Sequence, residues 1–169
     1  MSFTPAWRRL VLLVHVVTSV GFLGAVAGFL ALALVGLTTT DPVTTRAVYV
    51  ANGIITSEVI VPLAWASLLI GILQSLGTPW GLFRYYWVIV KLVLTIIATA
   101  VLMLQTQTIG MAAQMALQGD IATASTTRFG MVLHGAGGLL VLLVVTLLSV
   151  YKPRGLTPVG AKALAVRNA

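Results

Sequence analysis

The sequence predicts an all-α fold, a bundle of four transmembrane helices that run up, down, up and down. Of its 169 residues, 59% are hydrophobic and 8% are charged, and the mean hydropathy is +1.08. Such a composition is typical of integral membrane proteins and excludes a soluble core. Four apolar stretches reach the ~20 residues that a spanning helix needs. They cover residues 10–37, 49–76, 83–104 and 131–151.

A single transmembrane domain is expected over residues 10–152, between short basic tails at 1–9 and 153–169. The first apolar stretch follows Arg8 and Arg9 as a signal peptide would. It is longer than the roughly 7 to 15 apolar residues of a signal peptide, so we expect it to stay as a helix. The chain has no cysteine, which excludes disulfides and thiolate metal sites.

The distribution of charge predicts the orientation. The net charge is +7, and an N-in orientation places most basic residues on the inner side, which are Arg8, Arg9, Arg84, Lys152, Arg154, Lys162 and Arg167. The outer side then holds Arg46 and Arg128 with the loop acids Asp41 and Asp120. The positive-inside rule therefore puts both termini in the cytoplasm. Topology and anionic lipid at the inner face account for the basic residues, and no nucleic-acid partner is expected.

Helix one carries His15 and the pair Gly24 and Gly28. Two glycines four residues apart let another helix approach closely. Packing within the bundle is the favoured interpretation, and formation of a homodimer is the alternative.

Helix two carries Glu58 four residues before Pro62. Because proline has no N–H, the Glu58 carbonyl loses its helical donor, so a carboxyl group and a free carbonyl lie at one level. Trp65 is predicted to be a packed core aromatic, with the alternative that it flanks a planar ligand.

Helix three carries Lys91, and a lysine at membrane depth costs roughly 2.5 to 3.5 kcal/mol unless it has a partner. The end of this helix is ambiguous. Residues Gln105 to Gln118 are polar enough to lie outside the membrane, but they include Met111 and Met115. They form either a loop or a continuation of the helix that stops at Gly119. Helix four carries His134, followed by small residues at 135–138 that leave room for a neighbouring backbone or a flat ligand.

Depths along the helices group these residues in pairs. At about 1.5 Å per residue, His15 and Lys91 each lie about 12 Å from the inner interface. Glu58 and His134 lie about 27 and 25 Å from it. A haem held by both histidines of one chain is disfavoured, because their heights differ by roughly 13 Å.

Each pair has two interpretations. In the inner pair, Lys91 either extends toward the cytoplasm beside a hydrogen-bonded His15, or His15 binds a metal or haem iron while Lys91 pairs with a propionate or another anion. In the outer pair, a Glu58–His134 hydrogen bond either joins helices two and four or forms part of a proton or cation pathway.

Several segments resemble an uncharacterised family of small actinobacterial four-helix membrane proteins. They are VHVVTSVGFLG (14–24), QSLGTPWGLFR (74–84), YWVIVKL (86–92), LHGAGG (133–138) and YKPR (151–154). The resemblance implies residence in the bacterial cytoplasmic (inner) membrane and assigns no activity.

A more distant resemblance is to the copper-resistance CopD type and to the HemJ-type protoporphyrinogen oxidase. These share a histidine early in helix one and a Trp-x-x-x-Lys-Leu pattern in helix three, which correspond here to His15, Trp87 and Lys91. The HemJ-type histidine is associated with haem b, so the resemblance implies a haem or porphyrin pocket. Phe22 stands near the position of a tryptophan in that type.

Three functional hypotheses follow. The first is a haem- or porphyrin-binding membrane protein with a redox role, which uses His15 and Lys91. The second is a non-enzymatic accessory or structural subunit of a larger membrane complex. The third is a proton or cation conductor that uses Glu58 and His134. The sequence leaves open whether the protein is an enzyme.

Overall fold

A computed structural model describes residues 4–78, 80–121, 124 and 126–168. Residues 166–168 are described by their backbone alone. A π-helical segment, Ile55–Ile60, joins two of its helices into one unit, α2–α3. The helices are α1 (Pro5–Thr38), α2 (Pro42–Ile54), α3 (Val61–Leu76), α4 (Tyr86–Leu117), α5 (Arg128–Tyr151) and α6 (Pro158–Asn168).

Four helical units, α1, α2–α3, α4 and α5, are long and apolar enough to cross a membrane. The predicted all-α four-helix bundle is confirmed, and the chain is a multi-pass membrane protein. We call the end near Trp80 and Lys152 the inner end and the end near Asp41 and Gly119 the outer end, after the predicted orientation.

The bundle is a ring of four helical units. Helix α1 packs against α2–α3 and α5, and α4 packs against the same two units. Consequently α1 lies diagonally opposite α4, and α2–α3 lies diagonally opposite α5. The core between them contains Phe22, Val26 and Phe29 of α1 with Ile60 and Ala64 of the second unit.

The π-helical segment lies immediately before Pro62. At its end, the N–H of Val61 donates to the carbonyl of Thr56, five residues back. Since Pro62 cannot donate to the Glu58 carbonyl, the α-helical pattern is interrupted at this point, and the wider π turn accommodates the interruption.

Helix α4 continues beyond the apolar stretch and stops at Leu117. Its end is a Schellman motif: the N–H of Gly119 donates to Ala116 O at 3.2 Å, and the N–H of Asp120 donates to Met115 O at 3.0 Å. Gly119 has φ +88°, a conformation that favours glycine. Of the two alternatives for Gln105 to Gln118, the structure shows the continued helix, with Gln118 as its C-cap.

The segment after α5 docks on the turn between α3 and α4. The N–H of Tyr86 donates to Gly155 O at 3.2 Å, and the N–H of Thr157 donates to Arg84 O at 3.0 Å. The Thr157 hydroxyl also donates to Phe83 O at 2.6 Å and accepts from the N–H of Gly160 at 3.1 Å. Helix α6 is therefore capped by Thr157 and held at the inner end.

Candidate functional site

His15 projects from α1 against the backbone of α3. A Cβ atom at Gly71 would lie 3.0 Å from His15 Cε1, 3.6 Å from Nε2 and 3.7 Å from Nδ1. The absence of that atom gives the imidazole its space. The Nδ1 atom is buried and has no hydrogen-bond partner in the described part of the chain.

Polar groups of α1 and α3 surround this contact. One helical turn from His15, the hydroxyls of Ser19 and Ser67 lie 2.9 Å apart and share a hydrogen bond. On the other side of Gly71, the Oε1 atom of Gln74 is buried without a partner among the described residues. Two polar atoms near the inner end, Nδ1 of His15 and Oε1 of Gln74, thus lack partners among the described residues.

Lys91 is half-buried on α4, and its Nζ lies 5.4 Å from the centroid of the Trp87 ring. Trp87 itself is buried. Electrostatic attraction between an ammonium and an indole face stabilises this arrangement. Lys91 on α4 and His15 on α1 come from diagonally opposite helices.

A second lysine repeats the arrangement at the inner end. Lys152 Nζ lies 5.4 Å from the centroid of Trp80, and the Trp80 and Trp87 rings pack edge to face with centroids 5.5 Å apart. We call Lys91, Lys152, Trp80 and Trp87 the inner cation cluster. The chain's three acidic side chains lie elsewhere: Asp41 and Asp120 at the outer end, and Glu58 exposed on the π-helical segment.

That His15 and Lys91 lie at one level and form a pair stays a prediction. One interpretation made His15 a hydrogen-bonded packing residue. Its Nδ1 atom does not agree with this, because it has no hydrogen-bond partner among the described residues. An anionic ligand would supply the counter-charge that Lys91 lacks there.

The structure does not bring Glu58 and His134 together. Glu58 lies exposed on the π-helical segment, on the unit diagonally opposite α5. The Nδ1 atom of His134 lies 2.6 Å from the carbonyl of Gly130 on its own helix. Depth alone suggested the pair, but Glu58 points away from the bundle centre, so the predicted hydrogen bond between helices two and four is not formed.

His134 instead lines a cavity of about 110 Å³ between α4 and α5. Its other polar lining residues are Gln105, Thr108, Thr126 and Thr127. Because a carbonyl only accepts, Nδ1 carries the hydrogen in the bond to Gly130, which leaves Nε2 as the acceptor of the neutral ring.

Trp65 is 45% exposed on the outer surface of α3, so its predicted packing in the core is wrong. Its neighbours Ala64 and Ser67 are buried and supply the inward face of that helix. A residue one position from a buried residue is turned by about 100° around a helix. Trp65 therefore lies away from His15 and the core.

Gly24 and Gly28 are also exposed, and a Cβ atom at either would meet nothing within 4 Å. The favoured interpretation, packing within the bundle, is therefore wrong, and self-association stays a prediction. The close contacts occur at other glycines. A Cβ at Gly53 would lie 2.7 Å from Ala113 Cβ, and one at Gly36 would lie 2.9 Å from Val48 Cγ1.

A cluster that the sequence reasoning missed lies on the inward face of α2 and the π-helical segment. Tyr49, Asn52 and Thr56 are 1%, 0% and 2% exposed, and each has a side-chain polar atom without a described partner. The sequence shows only that these positions recur at the helical spacing of three and four residues and so share one face.

The described residues near His15 offer few ligands for a metal ion. Among the described residues, no three His, Cys, Asp or Glu side chains group together. A haem requires fewer protein ligands: one imidazole can hold the iron, and cations can hold its propionates. With a haem bound, His15 would take the first role, and Lys91 and Lys152 would take the second. The usual hydrogen bond from the other ring nitrogen of a ligating histidine has no counterpart at the unpartnered Nδ1.

In comparisons with protein-family models, with curated proteins and with solved structures, the chain has no match.

Proposed function

We propose that this integral membrane protein binds an anionic planar ligand, a haem b or a related porphyrin, at the inner end of the bundle. One observation carries the proposal. Lys91 and Lys152 lie over the adjacent indole rings of Trp87 and Trp80, and none of the chain's three acidic side chains lies at this end of the bundle.

Electrostatics explains why an anion belongs there. Two ammonium groups near each other destabilise the folded chain by repulsion, and partial burial of Lys91 weakens its solvation. The indole rings offset part of this cost. A carboxylate pair such as the haem propionates would offset more of it, because hydrogen bonds between ionised partners are about twice as strong as neutral ones.

Each residue at the inner end would have a role that follows from its chemistry. His15 would hold the iron through a ring nitrogen, Lys91 and Lys152 would hold the carboxylates, and Gly71 keeps the space in which the imidazole sits. A bound haem would supply one-electron chemistry.

The proposed setting is the bacterial cytoplasmic membrane, with the inner end facing the cytoplasm. The basic residues at that end, among them Arg154 and Lys162, would then contact anionic lipid.

An absorbance spectrum of the detergent-purified protein, with and without added haemin, tests the proposal. We expect a Soret band that is lost in His15→Ala and retained in the matched control His134→Ala. Weaker haemin binding is expected in Lys91→Met. A folded wild-type protein that stays colourless and does not bind haemin would refute the proposal.

A further inference from the structure

The outer half of the bundle contains a second polar site that is separate from the inner cation cluster. We call Tyr49, Asn52 and Thr56 the outer polar cluster. Four of its atoms, Tyr49 Oη, Asn52 Nδ2, Asn52 Oδ1 and Thr56 Oγ1, are buried without a hydrogen-bond partner in the described chain. Three almost fully buried side chains thus share one face of a helical unit.

Four buried polar atoms without partners destabilise the fold unless a ligand binds to them. A buried polar group without a partner loses its hydration and gains nothing in return, and the hydrocarbon region supplies no water from outside. A neighbouring polar residue shows the contrast: the hydroxyl of Thr45, one turn earlier, donates to Asp41 O at 2.9 Å.

The chemistry of the four atoms selects the ligand. The Asn52 amide supplies both donors and an acceptor, and the hydroxyls of Tyr49 and Thr56 can each donate or accept. A bare cation would pair with the Asn52 carbonyl oxygen and leave its N–H groups unsatisfied, and an anion would do the reverse. Water, with two donors and two acceptors, matches a mixed set.

The outer polar cluster is separated from the inner end of the bundle by apolar residues. Asn52 is ten residues after Pro42, about 15 Å along the helix from its outer end. Toward the inner end the next inward positions, Ile60 and Ala64, are buried and apolar. They separate the cluster from His15. Next to Asn52, Gly53 lies so close to Ala113 of α4 that the two helices fix the width of the site.

We propose that the outer polar cluster binds ordered water in the outer half of the bundle. The water would bridge Tyr49, Asn52 and Thr56 and satisfy the four atoms that have no partner among the described residues.

Radiolytic hydroxyl-radical labelling of the purified protein tests this, since radicals form from bound water as well as from bulk solvent. We expect Tyr49 to be modified at least several-fold faster than Phe29, an aromatic residue that is also buried but belongs to the apolar core. Labelling of the exposed Tyr86 and Tyr151 with none at Tyr49 would overturn the proposal.

Replacement of the polar groups gives a second test. If the site is hydrated, Asn52→Leu should lower the thermal midpoint and slow the labelling of Tyr49. In a dry site it would remove two unsatisfied groups and raise the midpoint. A raised midpoint with unchanged labelling therefore contradicts the proposal.

Should Asn52→Leu fail to fold, Thr56→Val keeps the shape of the side chain and tests the same point by both measurements. The matched control is Thr146→Val, whose hydroxyl bonds to Leu142 O of its own helix at 2.8 Å. This control should leave the labelling of Tyr49 unchanged.

Discussion

Gly71 of α3 lies directly against the imidazole of His15 of α1, so that a methyl group at position 71 would stand 3.0 Å from Cε1. This contact fixes the position of the histidine that the sequence singled out. It also makes the position of His15 sensitive to a residue that carries no functional group.

We expect Gly71→Ala to displace the His15 ring or to separate α1 from α3. Overpacking of this kind costs about 1–3 kcal/mol. The variant should therefore have a lower thermal midpoint and a weaker or shifted Soret band after haemin addition. Gly24→Ala is the control, because its added methyl group meets nothing within 4 Å. Equal behaviour of the two variants would show that the contact with Gly71 does not position His15.

A second glycine controls the contact between α2 and α4. Gly53→Ala would place its methyl carbon 2.7 Å from Ala113 Cβ, and since both helices are packed, we expect a destabilisation of about 1–3 kcal/mol. Thermal unfolding in detergent measures it. Gly110→Ala on α4, with nothing within 4 Å, should not destabilise. A Gly53→Ala midpoint equal to that of the wild type would contradict the observed helix spacing.

Docking of the C-terminal segment depends on Thr157. The variant Thr157→Val loses the hydrogen bonds to Phe83 O and from the N–H of Gly160, each worth about 1 kcal/mol. We expect α6 to detach and trypsin to cut faster after Lys162. Ser149→Ala, which removes only a bond within its own helix, is the control. Unchanged cleavage of Thr157→Val would show that the main-chain bonds alone hold the segment.

Acid should weaken the start of α2. Asp41 accepts hydrogen bonds from the Thr44 hydroxyl and from the N–H groups of Thr44 and Val43, which lower the pKa of its carboxyl below the ordinary value. Its stabilising contribution is then complete above the ordinary pKa and lost as the pH falls through the depressed one. The midpoint difference between wild type and Asp41→Asn should shrink over that range. A difference independent of pH would contradict this account.

The spans were predictable because an apolar stretch of sufficient length leaves few alternatives to a membrane helix. The depth of a residue along its helix can also be estimated, since the rise per residue is fixed. Depth carries no information about direction around the helix. Glu58 and Trp65 were therefore expected inside the bundle, and both are exposed.

The outer polar cluster was overlooked for a different reason. Tyr49, Asn52 and Thr56 are uncharged, and their presence in a span raises no immediate conflict with the membrane, unlike that of Lys91. Their significance depends on joint burial without partners, which only the packing of neighbouring helices reveals.

The docked C-terminal segment makes the inner end of the bundle more firmly linked than the outer end. At the inner end, paired main-chain hydrogen bonds connect residues 84–86 with residues 155–157 and so link the third and fourth spans. At the outer end, the described hydrogen bonds between distant elements include those of two arginine side chains. Arg46 donates to Leu117 O, and Arg128 donates to Thr39 O. A flexible side chain moves more easily than a pair of backbone hydrogen bonds, so the spans would separate at the outer end while the inner end acts as the hinge.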